Sequence, residues 1–169
     1  MNTPKFFGIA GWKNSGKTAL VSGLVSEIAS RGFTVSTLKH AHHTFDLDTS
    51  GTDSFKHREA GAREVILVSQ ARWAIQHELR GEQEPPFEAI QQKFSKCDLV
   101  LVEGYKKEKF PKIEIIEPKS SQKRLWIDDK NVVALACDEP QEACHLPQFG
   151  RDQVVEISDF ILKFSGISS

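Results

Sequence analysis

Eight consecutive residues near the start of the chain have the types and spacing of a phosphate-binding loop. They read Gly11-Trp12-Lys13-Asn14-Ser15-Gly16-Lys17-Thr18, which is the G-x-x-x-x-G-K-T pattern of the P-loop (Walker A). In such a loop, backbone N–H groups surround phosphate oxygens, Lys17 supplies positive charge for the β- and γ-phosphates, and the Thr18 hydroxyl binds Mg²⁺. The predicted phosphate-binding residues are Gly11, Lys13, Asn14, Ser15, Gly16, Lys17, Thr18 and Ala19.

The segments on both sides of this loop are those that a phosphate site needs. Phe6–Ala10 is an apolar, strand-like run. After the loop, apolar residues recur every three or four positions, which predicts an amphipathic helix from Lys17 to about Ser30, with Gly32 as its stop. The N-terminus of that helix adds partial positive charge beside the phosphates. A glycine turn before an ordinary helix is the alternative, and the order strand, loop, helix disfavours it.

A carboxylate ends a second apolar segment. Leu99-Val100-Leu101-Val102 predicts a central parallel strand buried on both faces. Glu103 then lies at the carboxyl end of that strand, from which a Walker-B-type acid reaches Mg²⁺. We predict Glu103 as the metal-side acid and, with Lys17, as a catalytic residue, while Gly104 lets the backbone approach the ligand. The alternative is an exposed carboxylate at a strand end.

Three histidines follow a predicted strand at Phe33–Lys39. His40, His42 and His43 then lie at the carboxyl end of a parallel strand, where ligands bind in α/β sheets, so His40 and His42 are candidate ligand contacts. Together with two nearby aspartates they also suggest zinc, although the spacings usual for zinc sites are missing. Contact with phosphate and simple exposure to solvent are the alternatives to a metal site.

Two aspartates in the polar segment 48–54 have two interpretations. Asp48 and Asp53 suit a turn and the start of a helix, which Thr52 or Asp53 can cap and which stops at Gly61. They also suit a role beside the phosphates, as carboxylates that organise Mg²⁺. Both interpretations stay open from the sequence, and both residues are candidate site residues.

The remaining segments predict an α/β fold in a single P-loop nucleotide-binding domain, residues 1–169. Two β-branched segments, 63–69 and 72–77, are separated by a short turn and predict an antiparallel pair. Further strands are predicted at 112–118 and 131–138, and apolar periodicity near the end of the chain predicts a closing helix. The whole pattern indicates a P-loop NTPase-type, mainly parallel sheet with helices on both faces, plus an antiparallel strand extension.

Composition limits the classes of function. The net charge of −1 provides no global basic field, so nucleic acid is not expected as a partner. The three cysteines have no paired spacing, which fits a reducing compartment. No cleavable signal pattern and no membrane-spanning apolar run are found, so we expect a cytoplasmic protein that does not contact a membrane.

Several particular segments accompany the P-loop in a recognisable order. They are Lys39-His40-Ala41-His42-His43, Ser69-Gln70-Ala71-Arg72-Trp73-Ala74, Leu101-Val102-Glu103-Gly104-Tyr105-Lys106 and Val133-Ala134-Leu135-Ala136-Cys137-Asp138. With these segments nearly the whole chain resembles the molybdopterin-guanine dinucleotide biosynthesis adaptor protein B (MobB) family. The resemblance implies a homodimeric GTP-binding protein with weak Mg²⁺-dependent GTPase activity in molybdenum cofactor biosynthesis. Its implied partner is a MobA-type guanylyltransferase, which attaches GMP to molybdopterin.

The resemblance also implies roles for individual residues. Gly11–Thr18 would bind the phosphates of GTP, and Thr18 with Glu103 would serve Mg²⁺. The segments His40–His43 and Asp48–Asp53 would line the same cleft. Strands that extend the sheet in the family imply that Ile113–Ile116 and the Trp126 region help a dimer to form. The region beyond Pro140 matches poorly, so the resemblance assigns no base contacts.

Two other functions are compatible with the phosphate loop. A small-molecule kinase using ATP or GTP would need a positioned base, for which His42 or Asp48 is available, and would consume nucleotide rapidly with an added metabolite. A non-hydrolytic adaptor would use nucleotide only to set the shape of a dimer. We expect slow hydrolysis, because the sequence shows no assignable water-orienting residue or arginine finger.

Overall fold

The computed structural model describes residues 4–41, 45–118 and 122–167. Contacts divide the chain into two compact units, of which the first comprises Met1–His40 with Phe94–Ser169 and the second comprises Ala41–Lys93. In order, the elements are β1 (Lys5–Gly11), α1 (Lys17–Ser30), β2 (Val35–Lys39), α2 (Asp53–Glu59), β3 (Glu64–Val68), β4 (Trp73–His77), α3 (Phe87–Gln91), β5 (Leu99–Glu103), β6 (Lys112–Ile116), a 3₁₀ turn (Leu125–Ile127), β7 (Val132–Cys137), β8 (Gln148–Phe149) and α4 (Val154–Phe164).

A six-stranded sheet organises the first unit. Its order is β2-β5-β1-β6-β7-β8, and every neighbouring pair is parallel. Every residue of β5 is buried, as its continuous apolar run predicts. Because the strands are parallel, their carboxyl ends lie at one edge, where ligands bind in sheets of this kind. The predicted mainly parallel α/β fold is confirmed; the two-residue strand β8 was not predicted.

One face of this sheet is covered by α1 and α4. The predicted helix begins at Lys17 and ends at Ser30, followed by Gly32 with a φ of 89°. Its apolar side chains and those of α4 form a common core with alternate residues of the sheet: Leu20, Val21, Leu24, Ile28, Ile157, Ile161 and Leu162 against Phe7, Ile9, Leu99, Leu101, Ile113, Ile115, Ala134 and Ala136. Burying each large apolar side chain contributes roughly 1.5–3 kcal/mol to the stability of the fold. This packed layer therefore fixes the sheet, including the carboxyl ends of its strands.

The opposite face is covered in part by the 3₁₀ turn and carries two buried charges. Glu114 accepts hydrogen bonds from the backbone N–H groups of Leu125 and Trp126, each at 2.9 Å. Burial raises the pKa of the Glu114 carboxyl. The Lys112 ammonium donates to the carbonyl oxygens of Lys106 and Glu108 and to Asp129, at 2.9, 2.7 and 2.8 Å. These bonds fix the loop that follows β5.

The expectation that Ile113–Ile116 help a dimer to form is wrong. These residues lie in β6, which pairs with β1 on one side and with β7 on the other. All of them are buried within one chain. A strand with both edges paired and both faces covered has no surface left for a second copy.

The second unit contains an antiparallel hairpin and the helix α2. Strands β3 and β4 pair from Glu64 opposite His77 to Val68 opposite Trp73, which confirms the predicted antiparallel pair. The Ser69 hydroxyl closes the turn by accepting the backbone N–H groups of Ala71 and Arg72 at 3.3 and 3.2 Å. Large apolar side chains of the hairpin are exposed: Ile66 58%, Leu67 51%, Val68 77%, Trp73 66% and Ile75 46%.

The helix α2 begins where predicted and ends one residue before the predicted last residue, Ala60. It runs from Asp53 to Glu59, is preceded by Thr52 in an extended conformation, and is followed by Gly61 with a φ of 110°. It packs against β3. Among the residues that the structure describes, no helix is both long enough and apolar enough to cross a membrane.

Candidate nucleotide phosphate site

The loop between β1 and α1 has a backbone that needs its glycines. Gly11, Asn14 and Gly16 have φ values of 154°, 65° and 87°. A Cβ on Gly11 would lie 2.6 Å from the Ser15 hydroxyl oxygen and 3.1 Å from the Ile115 carbonyl oxygen, so a side chain does not fit there. Gly11 is therefore required by the close approach of the loop to itself and to β6, and Gly16 is required by its positive φ.

The N-terminus of α1 is open to an anion. Within the described part of the chain no side chain caps it, and its first turn contains no acidic residue. The first N–H groups of a helix have no partner within the helix, and the helix dipole adds partial positive charge at this end. Gly16, Lys17, Thr18 and Ala19 begin this helix, and Lys13 and Asn14 are exposed in the loop before it. The backbone is thus arranged for phosphate oxygens.

The Lys17 ammonium lies over the loop. It donates to the Trp12 carbonyl oxygen at 2.6 Å. Burial lowers the pKa of Lys17, an effect that the nearby Glu103 carboxylate opposes and the Lys39 ammonium reinforces. The ammonium is therefore held against the backbone of the loop rather than extended into solvent.

Thr18 and Glu103 face one another. The Thr18 hydroxyl lies 3.1 Å from each carboxylate oxygen of Glu103. Strand register produces this contact, because Glu103 at the end of β5 lies between Ile9 of β1 and Lys39 of β2. The two side chains predicted to serve a metal, from residues far apart in the sequence, are in direct contact.

The Thr18–Glu103 pair fits Mg²⁺. A hydroxyl and a carboxylate are oxygen ligands, and Mg²⁺ is usually held by one or two protein ligands together with phosphate oxygens and waters. The Lys39 ammonium lies 3.2 Å from a Glu103 oxygen and 3.3 Å from the Thr18 hydroxyl oxygen. Glu103 is a buried carboxylate, and a buried negative charge requires a positive partner. The same two oxygens that would bind Mg²⁺ thus already attract a cation.

Gly104 and His40 lie side by side at this edge. A Cβ on Gly104, whose φ is 102°, would lie only 2.9 Å from the Cβ of His40. The backbone N–H of His40 donates to the Glu103 carbonyl oxygen at 2.9 Å, and its ring stacks on Tyr105 with centroids 4.5 Å apart. His40 is thus fixed beside the end of β5. His42 and His43 lie outside the described residues, so their predicted roles stay predictions.

Asp48 and Asp53 lie in the second unit and have local partners. The Asp48 carboxylate pairs with Arg58 at 3.0 Å. Asp53 begins α2, and its carboxylate is 3.5 Å from the ammonium of Lys56 in the same helix. These contacts support the interpretation as turn and helix-start residues; the role beside Mg²⁺ stays a prediction. Among the described residues, no three His, Cys, Asp or Glu side chains form a group that could hold a metal ion.

Two lysines near the phosphate loop were not predicted as site residues. Lys39 contacts Glu103 and Thr18, as above. The Lys106 ammonium lies 3.8 Å from the centroid of the Trp12 ring, and burial together with the nearby charge of Lys17 lowers the pKa of Lys106. The sequence did place Lys106 near the site, because it follows Glu103 by three positions. The lysine-rich run around it, however, is typical of a solvated surface.

A small cavity adjoins the loop. Its volume is about 250 Å³, and it is lined by Ser15, Gly16, Ala19, Leu20, Ile115, Arg151 and Val154. The Ser15 hydroxyl is buried and has no hydrogen-bond partner in the described part of the chain. Arg151, at the edge of the cavity, donates through Nε to Asp138 at 2.7 Å. Arg151 was not predicted to belong to the site. Asp138 ends the predicted strand at 131–138, at the edge where nucleotide-binding sheets often recognise the base, but the sequence assigned it no definite contact.

Comparisons with known proteins agree with one another. Residues 6–138 match the family of molybdopterin guanine dinucleotide synthesis protein B. The chain is 37% identical over 160 residues to the molybdopterin-guanine dinucleotide biosynthesis adapter protein of Haemophilus influenzae, covering 95% of this chain and 89% of that protein. It is 37% identical over 134 residues to the Escherichia coli protein of the same name, covering 78% and 77%.

The solved structures agree with the sequence relatives. A crystal structure of molybdopterin-guanine biosynthesis protein B has a TM-score of 0.73 and 26% identity to this chain, covering 94% of this chain and 99% of the other. A MobB homologue from Bacillus stearothermophilus has a TM-score of 0.72 at 21% identity, which shows the shared fold.

Proposed function

The chain belongs to the molybdopterin guanine dinucleotide synthesis protein B family, and from that premise we propose that it is a GTP-binding adapter in molybdopterin guanine dinucleotide biosynthesis. Its partner would be a MobA-type guanylyltransferase. The observation that carries the proposal is the contact of Thr18 with Glu103 beside the uncapped N-terminus of α1. Together these features provide the hydrogen-bond donors and the metal ligands that a nucleoside triphosphate with Mg²⁺ requires.

The proposed roles follow from the positions of the side chains. The N–H groups of residues 11–19 and the Lys17 ammonium bind the phosphates. Thr18 and Glu103 hold Mg²⁺, with Gly104 and His40 beside them. Bound Mg²⁺ neutralises charge on the phosphate oxygens. Hydrolysis is slow in this proposal, because charge neutralisation is provided for and no residue is assigned to orient the attacking water.

The proposed assembly is a homodimer formed through the β3–β4 hairpin. An isolated two-stranded hairpin is marginally stable in water, and this one exposes Ile66, Val68 and Trp73. A contiguous exposed apolar surface usually marks an interaction site. The hairpin therefore replaces the strand at Ile113–Ile116 as the proposed dimer surface.

Calorimetric titration with GTP tests the proposal. Lys17→Ala should weaken GTP binding at least roughly 100-fold, because it removes a charge-assisted contact to the phosphates from a partly buried position. Lys163→Ala, which removes an exposed lysine at the far end of α4, is the matched control and should leave the affinity unchanged. Glu103→Gln should bind GTP but lose the increase in affinity that Mg²⁺ provides.

Two results would contradict the proposal. GTP affinity that Lys17→Ala leaves intact would remove the phosphate assignment. The adapter role predicts that GTP affinity changes when the purified guanylyltransferase is added, so an identical titration with and without that enzyme would argue against coupling between the two proteins.

A further inference from the structure

The cavity beside the phosphate loop has the size and lining for a flat heterocycle. Its volume of about 250 Å³ lies just below the roughly 300–1,000 Å³ of pockets that hold a whole drug-sized ligand. Its walls are mainly apolar, with Leu20, Ile115 and Val154 among them, and the P-loop residues Ser15 and Gly16 form one side. A group attached to phosphates bound at the loop would reach this cavity directly.

The topology explains why the cavity lies there. In the order β1-β6-β7-β8, the carboxyl ends of β6, β7 and β8 follow the phosphate loop along one edge of the sheet. Gly23 lets α4 approach α1, because a Cβ on Gly23 would lie only 3.2 Å from a Val154 methyl carbon. The start of α4 thus closes one side of the cavity.

An ion pair lies at the edge of this cavity. Asp138 follows β7 and Arg151 follows β8, and Nε of Arg151 donates to one Asp138 oxygen at 2.7 Å while a second guanidinium N–H pairs with the other. A Cβ on Gly16 would lie 4.0 Å from the Arg151 Nη1 atom, so the pair is close to the phosphate loop. The Arg151 guanidinium lowers the pKa of Asp138, which is therefore ionised at neutral pH.

We propose that this cavity binds the base of the nucleotide and that Asp138 selects guanine over adenine. The proposal rests on the phosphate site proposed above. Guanine presents two adjacent donors, N1–H and the 2-amino group, which match the two oxygens of a carboxylate; adenine has an acceptor at N1 and no donor at C2. An ionised carboxylate has about four acceptor positions, so Asp138 can accept from guanine while Arg151 still holds it. Arg151 is a positioning residue.

Titrations with GTP, ATP and XTP test this assignment. Asp138→Asn should weaken GTP binding roughly 10- to 100-fold, the size of one good bidentate base contact. The same variant should bind XTP more tightly than the wild type does, because xanthine has a carbonyl at C2 that accepts from the asparagine amide. Glu139→Gln, which changes the neighbouring exposed acid, is the control and should keep the wild-type preference.

Inorganic tripolyphosphate separates the two proposals. It has no base, so Asp138→Asn should bind it like the wild type, whereas Lys17→Ala should not. Loss of GTP binding by Asp138→Asn without a gain for XTP would overturn the role of Asp138, because a merely structural defect cannot create affinity for a new base. Equal wild-type affinities for GTP and ATP would overturn it as well. Failure of the wild type to bind tripolyphosphate would instead overturn the phosphate site.

Discussion

Strands β5 and β3 have similar apolar residues and opposite surroundings. Leu99-Val100-Leu101-Val102 is wholly buried between β2 and β1, whereas Ile66, Leu67 and Val68 of β3 are more than half exposed. Strand β5 has a partner along each edge, while β3 pairs with β4 alone among the strands that the structure describes. Local composition therefore specifies a strand, but the availability of partners decides whether that strand forms a core or a surface.

The largest expected difference between the two strands concerns stability. Leu101→Ala should lower the free energy of unfolding by about 2–5 kcal/mol, because it leaves a cavity in the closed core. Leu67→Ala removes the same atoms from an exposed position and should change the free energy of unfolding by less than about 1 kcal/mol. Urea denaturation at low protein concentration measures both. Equal losses that do not depend on protein concentration would show that β3 is buried within its own chain.

A charge on the hairpin should affect assembly rather than folding. Ile66→Lys should weaken dimerisation by roughly 100-fold or more, because an unpaired ammonium would be buried in the interface. Val155→Lys, at an exposed apolar position on α4, is the control and should leave the dimer intact. Sedimentation equilibrium measures both. A dimer that Ile66→Lys does not weaken would place the interface elsewhere.

The smallest expected effect is a difference in pH dependence between two carboxyls. Burial raises the pKa of Glu114 in the sheet above its ordinary 4.5, whereas a hydrogen bond with His77 lowers the pKa of Glu64 in the hairpin below 4.5. Glu114 therefore destabilises the fold above its raised pKa, and stability rises as the pH falls through that pKa toward 4.5. Glu64 stabilises the fold above pH 4.5, and this contribution is lost as the pH falls through its lowered pKa.

Glutamine variants measure these contributions separately. Glu114→Gln should remove a rise in stability on acidification just above pH 4.5, and Glu64→Gln should remove a fall just below it. Unfolding free energies from urea titrations across this range give both slopes. Each contribution is the wild-type slope of unfolding free energy against pH minus the slope of the variant. Contributions of the same sign for Glu114 and Glu64 would contradict the contrast between the sheet and the hairpin.

Features that depend on one continuous segment were predictable from the sequence. The bounds of α1, the antiparallel hairpin and the position of Glu103 at a strand end all follow from local periodicity and from the order strand, loop, helix. Thr18 and Glu103 were each expected to serve Mg²⁺ at the edge where the parallel strands end, and the contact between them agrees with that expectation.

Features that depend on register or on a single backbone angle were not predictable. Lys39 reaches Glu103 only because the two residues are paired across β2 and β5. Lys106 reaches Trp12 after a turn at Tyr105, whose φ is 47°. Asp138 and Arg151 meet because β8, a strand of two residues, returns the chain beside β7. No short sequence pattern encodes these distances.

The position of Trp12 within the phosphate loop has an optical consequence. Its ring contacts the Lys106 ammonium at 3.8 Å, and its indole N–H donates to the Lys123 carbonyl oxygen at 3.0 Å. Indole fluorescence responds to nearby charge and to hydrogen bonding, so we expect a ligand bound at the loop to change the fluorescence of Trp12. The other two tryptophans lie in the hairpin, at Trp73, and on the opposite face of the sheet, at Trp126. The protein thus contains a separate intrinsic fluorophore for each of these three regions.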